Sequence, residues 1–332
     1  MGLMNLIFLL MLSWPMSQAL ASESGSGPLP QDVQDMVVLT VDKTKLRADL
    51  RTWPEDHARS NVLMSFRIAI GKNEGDKQFA GDNKTPEGIY FAQSVIDGAT
   101  LPPKYGPKAI PINFPNPFDQ LAGKTGHGIW LHGVDLETRI SEAKVTEGCV
   151  AFYNADIAAL TKWLRPYQSV VMIGSRIEDL NRIEDTTSLG HALKDWAKAW
   201  SDRRIADYAR YYSDSFAFKG MNRDQYKKYK SAVFAGYKQM TVSLTDLRTF
   251  THAKYGMTVV NQDFNGDDRY LSRGRKILYW ERDHSQGWQI RAEVFESRRL
   301  EFGSLSSSEL TQFGATSPSA KFFSESSAPA NL

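Results

Sequence analysis

Short segments of alternating apolar and polar residues dominate the chain between residues 36 and 175. Alternation with a period of two is typical of β-strands, because successive side chains point to opposite faces. Clusters of Gly, Pro, Asn and Asp separate the segments, as expected for turns. The strands predicted in this way are residues 36–42, 62–71, 88–96, 128–133 and 169–174. The pattern indicates a mainly β domain that ends near residue 175.

A proline-rich segment interrupts this pattern. Six prolines fall between residues 102 and 117, and proline lacks the N–H group that helices and central strands need. We therefore expect a long surface loop, of the kind that often covers a site. Tyr105 lies in this segment and can line a cleft beneath such a lid, although simple packing explains it equally well.

Apolar residues at helical spacing predict one helix after Cys149 and three more beyond residue 190. The first falls within residues 154–167, with Asn154 or Asp156 as its N-cap and with Ile157, Leu160 and Leu164 inside. The others fall within residues 193–200, 202–212 and 222–234, and the last begins with Asn222 and Gln225 in capping-box positions. Their predicted inner residues are Leu193, Trp196, Trp200, Ile205, Tyr208, Tyr212, Tyr226, Tyr229 and Val233.

Four longer alternating segments follow, near residues 240–251, 255–264, 269–282 and 287–298. Three helices followed by an antiparallel meander indicate an α+β cone or half-barrel. The last segment is predicted to place Trp288, Ile290, Ala292 and Val294 on one face. Some cones of this type enclose a ligand pocket. His252, Asp263 and His284 could serve one, but nothing in their spacing demands it.

The composition is that of an ordinary soluble protein, with 42% hydrophobic and 23% charged residues and a net charge of +2. This balance argues against a nucleic-acid partner. Residues 3–12 form an apolar run, followed by Ala19-Leu20-Ala21, which is typical of a secretory signal cleaved after Ala21. A retained N-terminal anchor is the alternative, because no Lys or Arg precedes the run. The run is too short for a stable membrane span, so we expect export to the periplasm.

These patterns divide the chain into six parts. A signal peptide covers residues 1–21 and a flexible leader rich in Ser, Gly and Pro covers 22–35. The mainly β domain is predicted at 36–176, a charged linker at 177–188 and the α+β domain at 189–300. The tail at 301–332 is rich in Ser and Ala without a period, which predicts disorder.

Cys149 is the only cysteine, so it cannot form an intrachain disulfide. A lone thiol in an exported protein is prone to oxidation unless it is buried or has a function. The strand at 128–133 places Trp130 and His132 on one face, where Trp130 can equally form a pocket wall or part of the core. If the segment around Cys149 is a neighbouring strand, His132 can approach the thiol and act as its base. An inert buried cysteine remains the alternative.

The residue before Cys149 adds to this hypothesis. Gly148 has no Cβ, so a carbonyl oxygen can approach its backbone closely. Backbone N–H groups at such a turn can also bind a developing oxyanion. A zinc site formed by His127, His132, Glu147 and Cys149 is conceivable from the ligand types, but the set lacks a closely spaced ligand pair. His127 by itself is expected to be an ordinary loop or core residue.

The sequence motifs around these residues resemble those of a known catalytic family. The pair His132-Gly133, the sequence Thr146-Glu147-Gly148-Cys149 and the upstream stretch DNKTPEGIY at 82–90 are similar to the motifs of YkuD-type L,D-transpeptidases. The resemblance covers about residues 36–176. The second domain is similar to the NTF2-like fold, and this order of domains resembles the cell-shape-determining peptidoglycan L,D-carboxypeptidases. The implied fold is a YkuD-like β-sandwich with short helices, joined to an NTF2-like cone.

The resemblance implies a reaction and a set of site residues. The Cys149 thiolate would attack the carbonyl that precedes the terminal D-alanine of a peptidoglycan stem peptide. His132 would be the base, oriented by the carbonyl of Gly133, and no metal or cofactor would be needed. The acyl-enzyme would then pass to water, which shortens a tetrapeptide, or to an amine, which makes a crosslink. The expected substrate-binding residues are Tyr105, Trp130, Thr146, Glu147 and Gly148.

Two positions depart from the family pattern. Many relatives carry His before the Gly-Cys pair, where this chain has Glu147, and Arg two residues after the cysteine, where it has Ala151. The missing arginine favours hydrolysis over crosslinking. A non-catalytic wall-binding module is the rival from another class, in which the second domain recruits a protein or ligand partner. The retained cysteine and histidine argue against it.

Overall fold

The computed structural model describes residues 37–53, 60–283 and 285–297. The predicted signal peptide, leader and tail lie outside these residues, as does His284. The described part contains two main sheets, and the predicted fold class of each domain is confirmed. No helix in these ranges is long and apolar enough to cross a membrane.

The first domain is built on one ten-stranded sheet. Its strands are β1 (Val37–Asp42), β2 (Arg47–Thr52), β3 (Val62–Gly71), β4 (Gly88–Phe91), β5 (Ile96–Asp97), β6 (Lys108–Pro111), β7 (Trp130–His132), β8 (Lys144–Thr146), β9 (Val150–Phe152) and β10 (Val170–Gly174). Their order is β4-β10-β1-β2-β3-β9-β7-β6-β5, with β8 beside β3. A bridge between Ala92 and Ile112 brings the two ends of this order together, so the sheet curls around one apolar core. Three short helices complete the domain: α1 (Pro117–Leu121), α2 (Thr138–Ser141) and α3 (Asn154–Leu160).

The prediction of a surface loop at residues 102–117 is wrong. The segment contains a 3₁₀ turn at Pro103–Tyr105, the start of α1, and strand β6. This strand pairs with β7, and Ala109 and Ile110 are fully buried. The strand forms because Pro107 and Pro111 lie at its ends, so the intervening residues keep the N–H groups that the ladder needs.

The residues predicted to face inward are all at most 4% exposed, although only Ile157 and Leu160 lie in α3 and Leu164 follows the helix. The predicted cap is wrong. The N-cap is Tyr153, and no side chain caps the helix. Asn154 instead uses its amide to bind the backbone of Val134, accepting from its N–H at 2.9 Å and donating to its carbonyl at 3.0 Å.

The second domain packs helices against a four-stranded antiparallel sheet. Its elements are α4 (Ile183–Ser201), α5 (Ile205–Ala209), β11 (Ala217–Phe218), β12 (Met221–Asn222), α6 (Arg223–Gly236), β13 (Met240–Thr251), β14 (Gly256–Gly266), β15 (Tyr270–Asp283) and β16 (Gly287–Ser297). The capping box of Asn222 and Gln225 is confirmed. The core is rich in aromatic residues from both layers, including Trp196, Trp200, Tyr208, Tyr212, Tyr226 and Trp280.

Three details differ from the expectations for this domain. The predicted linker at 177–188 contains a 3₁₀ turn and the start of α4. Tyr229 is 38% exposed and not an inner residue of α6. The four apolar residues of β16 do not share a face, because the register with β15 shifts by one residue between Ile290 and Ala292. Trp288 and Ile290 therefore join the helix-covered core, whereas Ala292 and Val294 pack towards the first domain.

An apolar cluster joins the two sheets. It combines residues of the first domain with residues of β13 to β16, and its buried members are Val38, Trp53, Ile89, Phe91, Val170, Met172, Leu180, Phe250, Tyr255, Met257, Ile277, Tyr279 and Ala292. The two domains thus share buried surface and are not joined by the linker alone.

Candidate active site

Strands β7 and β9 bring the candidate pair together. They run parallel, with Leu131 opposite Val150 and His132 opposite Ala151. Leu131 and Val150 are fully buried in the core of the first domain. Since side chains alternate along a strand, His132 points to the other face. Cys149 lies directly before β9, so the strand pairing brings it near His132, seventeen positions earlier in the sequence.

A tight turn presents Cys149. The Thr146 hydroxyl donates to the Cys149 carbonyl at 2.7 Å and accepts from the Gly148 N–H at 3.1 Å. Gly148 has φ of 128°, which favours glycine, and a Cβ there would lie 2.7 Å from the Lys84 carbonyl oxygen. Thr146 is buried, which favours a role in holding the turn over the substrate contact expected from the motif. The Gly148 N–H, being engaged, is not free to bind an oxyanion.

Replacing Thr146 with valine should keep the shape of the side chain but remove both hydrogen bonds of the turn. We expect a loss of about 1–3 kcal/mol in the free energy of unfolding, because the Gly148 N–H is left without its acceptor in a buried position. Urea unfolding measures this loss. Thr146→Ser keeps the hydroxyl and should retain most of the stability, whereas equal losses in both variants would contradict the role of the hydroxyl.

The thiol of Cys149 is held by backbone groups. Within the described residues, its sulfur accepts from the Trp130 N–H at 3.4 Å and donates to the Gly128 carbonyl at 3.5 Å. Burial raises the pKa of Cys149 to about 11, opposed by the Trp130 N–H and reinforced by the negative charge of Glu147. The free enzyme therefore carries a neutral thiol at neutral pH.

His132 has a neutral ring with a fixed orientation. Burial lowers the pKa of His132 to about 4, although the hydrogen bond to Gly133 works in the opposite direction. Its Nδ1 lies 2.5 Å from the Gly133 carbonyl oxygen, and a carbonyl can only accept, so Nδ1 carries the proton. Nε2 is then unprotonated and can accept a proton. Both the thiol and the imidazole are therefore neutral in the folded protein.

The neutral pair predicts slow alkylation of Cys149. Iodoacetamide reacts with the thiolate, so the rate in the folded protein should be low at pH 7 and rise about tenfold per pH unit towards 11. The single cysteine makes mass spectrometry of the labelled chain unambiguous. The urea-unfolded chain is the control and should react faster at pH 7. A fast rate that is already constant below pH 8 would contradict the neutral pair. Slow labelling of Cys149 is therefore what a neutral thiol predicts, and it does not argue against a catalytic role for this residue.

Aromatic residues form a wall beside the pair. The ring of Tyr105 lies 5.1 Å from that of His132, edge to face, and 4.8 Å from that of Trp130. Both Tyr105 and Trp130 are half-buried. Glu147 is exposed, and no hydrogen-bond partner for it occurs in the described part of the chain. The structure therefore gathers Tyr105 and Trp130 around His132 and leaves Glu147 at the rim.

Two contributors to the site were missed by sequence reasoning. Asn154 braces the backbone just after Gly133, and the carbonyl of Lys84 packs against Gly148. An asparagine before a helix is typical of a cap, so the sequence carries no local signal for the first role. The stretch at 82–90 is a motif, but nothing in it indicates which backbone atom contacts the turn.

The four residues of the zinc alternative are not gathered into one site. His127 and Glu147 are exposed, whereas His132 and Cys149 are buried. Across residues 37–53, 60–283 and 285–297, no group of three or more His, Cys, Asp or Glu side chains is placed to hold a metal ion.

Comparisons with known proteins match this architecture. Residues 37–173 match the model of the YkuD L,D-transpeptidase catalytic domain, and residues 188–294 match that of the Cds6 C-terminal NTF2-like domain. The chain therefore consists of an L,D-transpeptidase-family domain followed by an NTF2-like domain. The first of these domains belongs to a family that acts on peptidoglycan. No curated protein sequence matches the chain.

Two solved structures share the fold over most of their length. Bd1075 of Bdellovibrio bacteriovorus has a TM-score of 0.70 and 24% identity, covering 80% of this chain and 94% of its own. Pgp2 of Campylobacter jejuni, described as a helical cell shape determining protein, has a TM-score of 0.65 and 24% identity, covering 78% of this chain and 92% of its own.

Proposed function

We propose that the protein is a peptidoglycan L,D-carboxypeptidase with Cys149 as nucleophile and His132 as base. The observation that carries this proposal is the pairing of β7 with β9, which places the oriented imidazole on the strand adjacent to the one that Cys149 directly precedes, in a domain of the L,D-transpeptidase family. In the first step the sulfur bonds to the carbonyl carbon before the terminal D-alanine, and the thiol proton passes to Nε2 of His132. The C–N bond then breaks, and the D-alanine amine leaves with that proton.

The second step transfers the acyl group to water. Attack of water on the thioester, with His132 again accepting a proton, releases the tripeptide and restores the thiol. Ala151 favours water over an amine acceptor. It occupies the position where crosslinking relatives carry arginine, and it is fully buried among Ala69, Val134 and Ile140. The site therefore lacks the guanidinium associated with crosslinking.

Lys104 suits recognition of the terminal carboxylate. It directly precedes Tyr105, whose ring packs against His132, and its ammonium lies 5.1 Å above the Tyr105 ring. Lys104 is exposed, and its charge lowers the pKa of both His132 and Cys149. A substrate that ends directly after the scissile bond places its carboxylate near the reacting carbonyl, where this charge attracts it. This arrangement fits a carboxypeptidase.

We further infer a role in remodelling the cell wall, and through it in cell shape, at a periplasmic location. Support comes from the peptidoglycan chemistry of the family and from the likeness to a cell-shape-determining protein. The proposed division follows the two domain matches, with catalysis in residues 36–176 and a docking or localisation role for residues 189–300.

A digest of purified peptidoglycan tests the proposed reaction. The full-length mature protein and its Cys149→Ala variant are incubated with sacculi, and the muropeptides are identified by mass spectrometry. We expect tetrapeptides to become tripeptides with the wild type alone. New crosslinked dimers would identify a transpeptidase. Binding to sacculi without any change in the muropeptides would identify a wall-binding module.

A further inference from the structure

The turn between β13 and β14 reaches from the second domain into the first. The Tyr255 hydroxyl accepts from the Ile89 N–H at 2.6 Å and donates to the Ile89 carbonyl at 3.1 Å. It also accepts from the Asn116 side-chain amide at 2.8 Å. Tyr255 is 1% exposed, and its ring stacks on Phe118 with 4.2 Å between centroids. One side chain of the second domain thus fixes the backbone of β4 at Ile89.

Lys254, the residue before Tyr255, adds ion pairs to this contact between the two domains. Its ammonium lies 2.7 Å from Asp76 and 3.2 Å from Glu87. Glu87 also pairs with Lys43 at 3.0 Å, and Asp76 with Lys124 at 2.9 Å. The side chains of Asp76 and Glu87 are only 10% exposed, and Lys124 also pairs with a third buried carboxylate at 2.7 Å. Without the Lys254 ammonium, three buried carboxylates would therefore share two cations.

The segment held in this way lies against the catalytic turn. The Thr85 hydroxyl accepts a hydrogen bond from the Gly71 N–H at 2.9 Å. Gly71 in turn pairs with Thr146 in the β3–β8 ladder. One residue earlier, the Lys84 carbonyl packs against Gly148, where it leaves no room for a Cβ. The chain from residue 84 to residue 89 therefore connects the second domain to the turn that carries Cys149.

We propose that Lys254 and Tyr255 are positioning residues for the catalytic turn, so that the NTF2-like domain is a structural part of the active site. They touch neither the thiol nor the imidazole. They act by fixing residues 84–89, whose backbone sets the place of Gly148. The effect on turnover rests on the proposed function, whereas the effect on the turn itself does not.

The test uses Lys254→Met and Tyr255→Phe in the full-length protein, with Lys254→Arg as the conservative variant. Arg248→Met is the matched control, because Arg248 also crosses to the first domain but reaches the Trp53 carbonyl, at 3.4 Å. Two readouts are needed: kcat and KM for D-alanine release from a tetrapeptide, and the rate of Cys149 alkylation at fixed pH. Thermal unfolding of every variant reports the general loss of stability.

We expect Lys254→Met and Tyr255→Phe to lower kcat about tenfold or more with KM little changed, because small displacements of a nucleophile are costly. Alkylation of Cys149 should become several-fold faster as the turn opens more often. Lys254→Arg should restore both values, and Arg248→Met should change neither, even at an equal loss of Tm.

Two results would overturn the proposal. In one, alkylation and kcat stay at wild-type values in both variants. In the other, both change in Arg248→Met as much as in Lys254→Met, in proportion to Tm. If the wild type releases no D-alanine, the proposed function fails, and the alkylation rates alone then decide whether the second domain positions the turn.

Discussion

Replacing Cys149 with alanine should abolish the release of D-alanine from stem tetrapeptides, with a loss of roughly 10⁴-fold or more in kcat. In the proposed reaction the sulfur is the atom that bonds to the acyl group, and the chain has no second cysteine to replace it. The fold should be little affected, because alanine is smaller and the site is only 9% exposed. A quenched assay of tetrapeptide turnover by chromatography measures the loss, and thermal unfolding checks that the variant is folded.

The serine variant sharpens this prediction. Cys149→Ser keeps the size of the side chain but offers a hydroxyl that is far harder to deprotonate than a thiol. We expect it to be as inactive as the alanine variant at every pH. If either variant kept more than a few per cent of the wild-type rate, the nucleophile would have to be another residue.

Replacing Gly148 with alanine should have the second largest effect. The backbone adopts φ of 128°, and the new Cβ would lie 2.7 Å from the Lys84 carbonyl oxygen and 3.0 Å from Ile129 Cδ1. A backbone carbonyl cannot rotate away as a side chain can, so the turn itself must move. We expect kcat to fall about 100-fold, since the thiol moves with the turn, and the free energy of unfolding to fall by about 1–3 kcal/mol.

Gly123→Ala is the matched control for this variant. Gly123 also has a positive φ, of 76°, but nothing lies within 4 Å of a Cβ built there. Gly123→Ala should therefore show the strain of a positive φ without a collision between the new Cβ and a neighbouring atom, and its kcat should stay near the wild-type value. Equal losses of activity in the two variants would contradict the argument from close approach.

The period-two pattern gave β1, β3, β4, β7 and β10 of the first domain and the four long strands of the second, because it depends on local alternation alone, but it missed β2, β6 and β8. Strand β3 spans the predicted residues 62–71, and β13 the predicted residues 240–251. The shared face of Trp130 and His132 could also be predicted, since side-chain direction follows from position along the strand. The position of β7 beside β9 depends on the order of strands in the sheet, and no local pattern in the sequence specifies that order.

The errors arose where distant contacts overrule local preference. Proline density predicted a loop at 102–117, yet Ala109 and Ile110 find a partner strand in β7. The register shift in β16 after Ile290 moves Ala292 to the opposite face, and a single extra residue leaves no trace in the alternation. Asn154 binds Val134 across twenty residues and not its own helix.

The contacts that the second domain makes with the first could not be predicted from the sequence at all. Tyr255 bonds to Ile89 across 166 residues, and Lys254 reaches Glu87 across 167. Both residues lie in a turn between strands, where a lysine and a tyrosine are unremarkable. Only the fold indicates that this turn ends inside the first domain.

In the proposed mechanism, the acyl group on Cys149 passes to water. Turnover of a defined tetrapeptide in water enriched in oxygen-18, with an added amine acceptor, tests it most directly by mass spectrometry of the products. We expect a tripeptide that carries one heavy oxygen in its new carboxyl group, and free D-alanine without label. Products joined to the amine, with no labelled tripeptide, would contradict it.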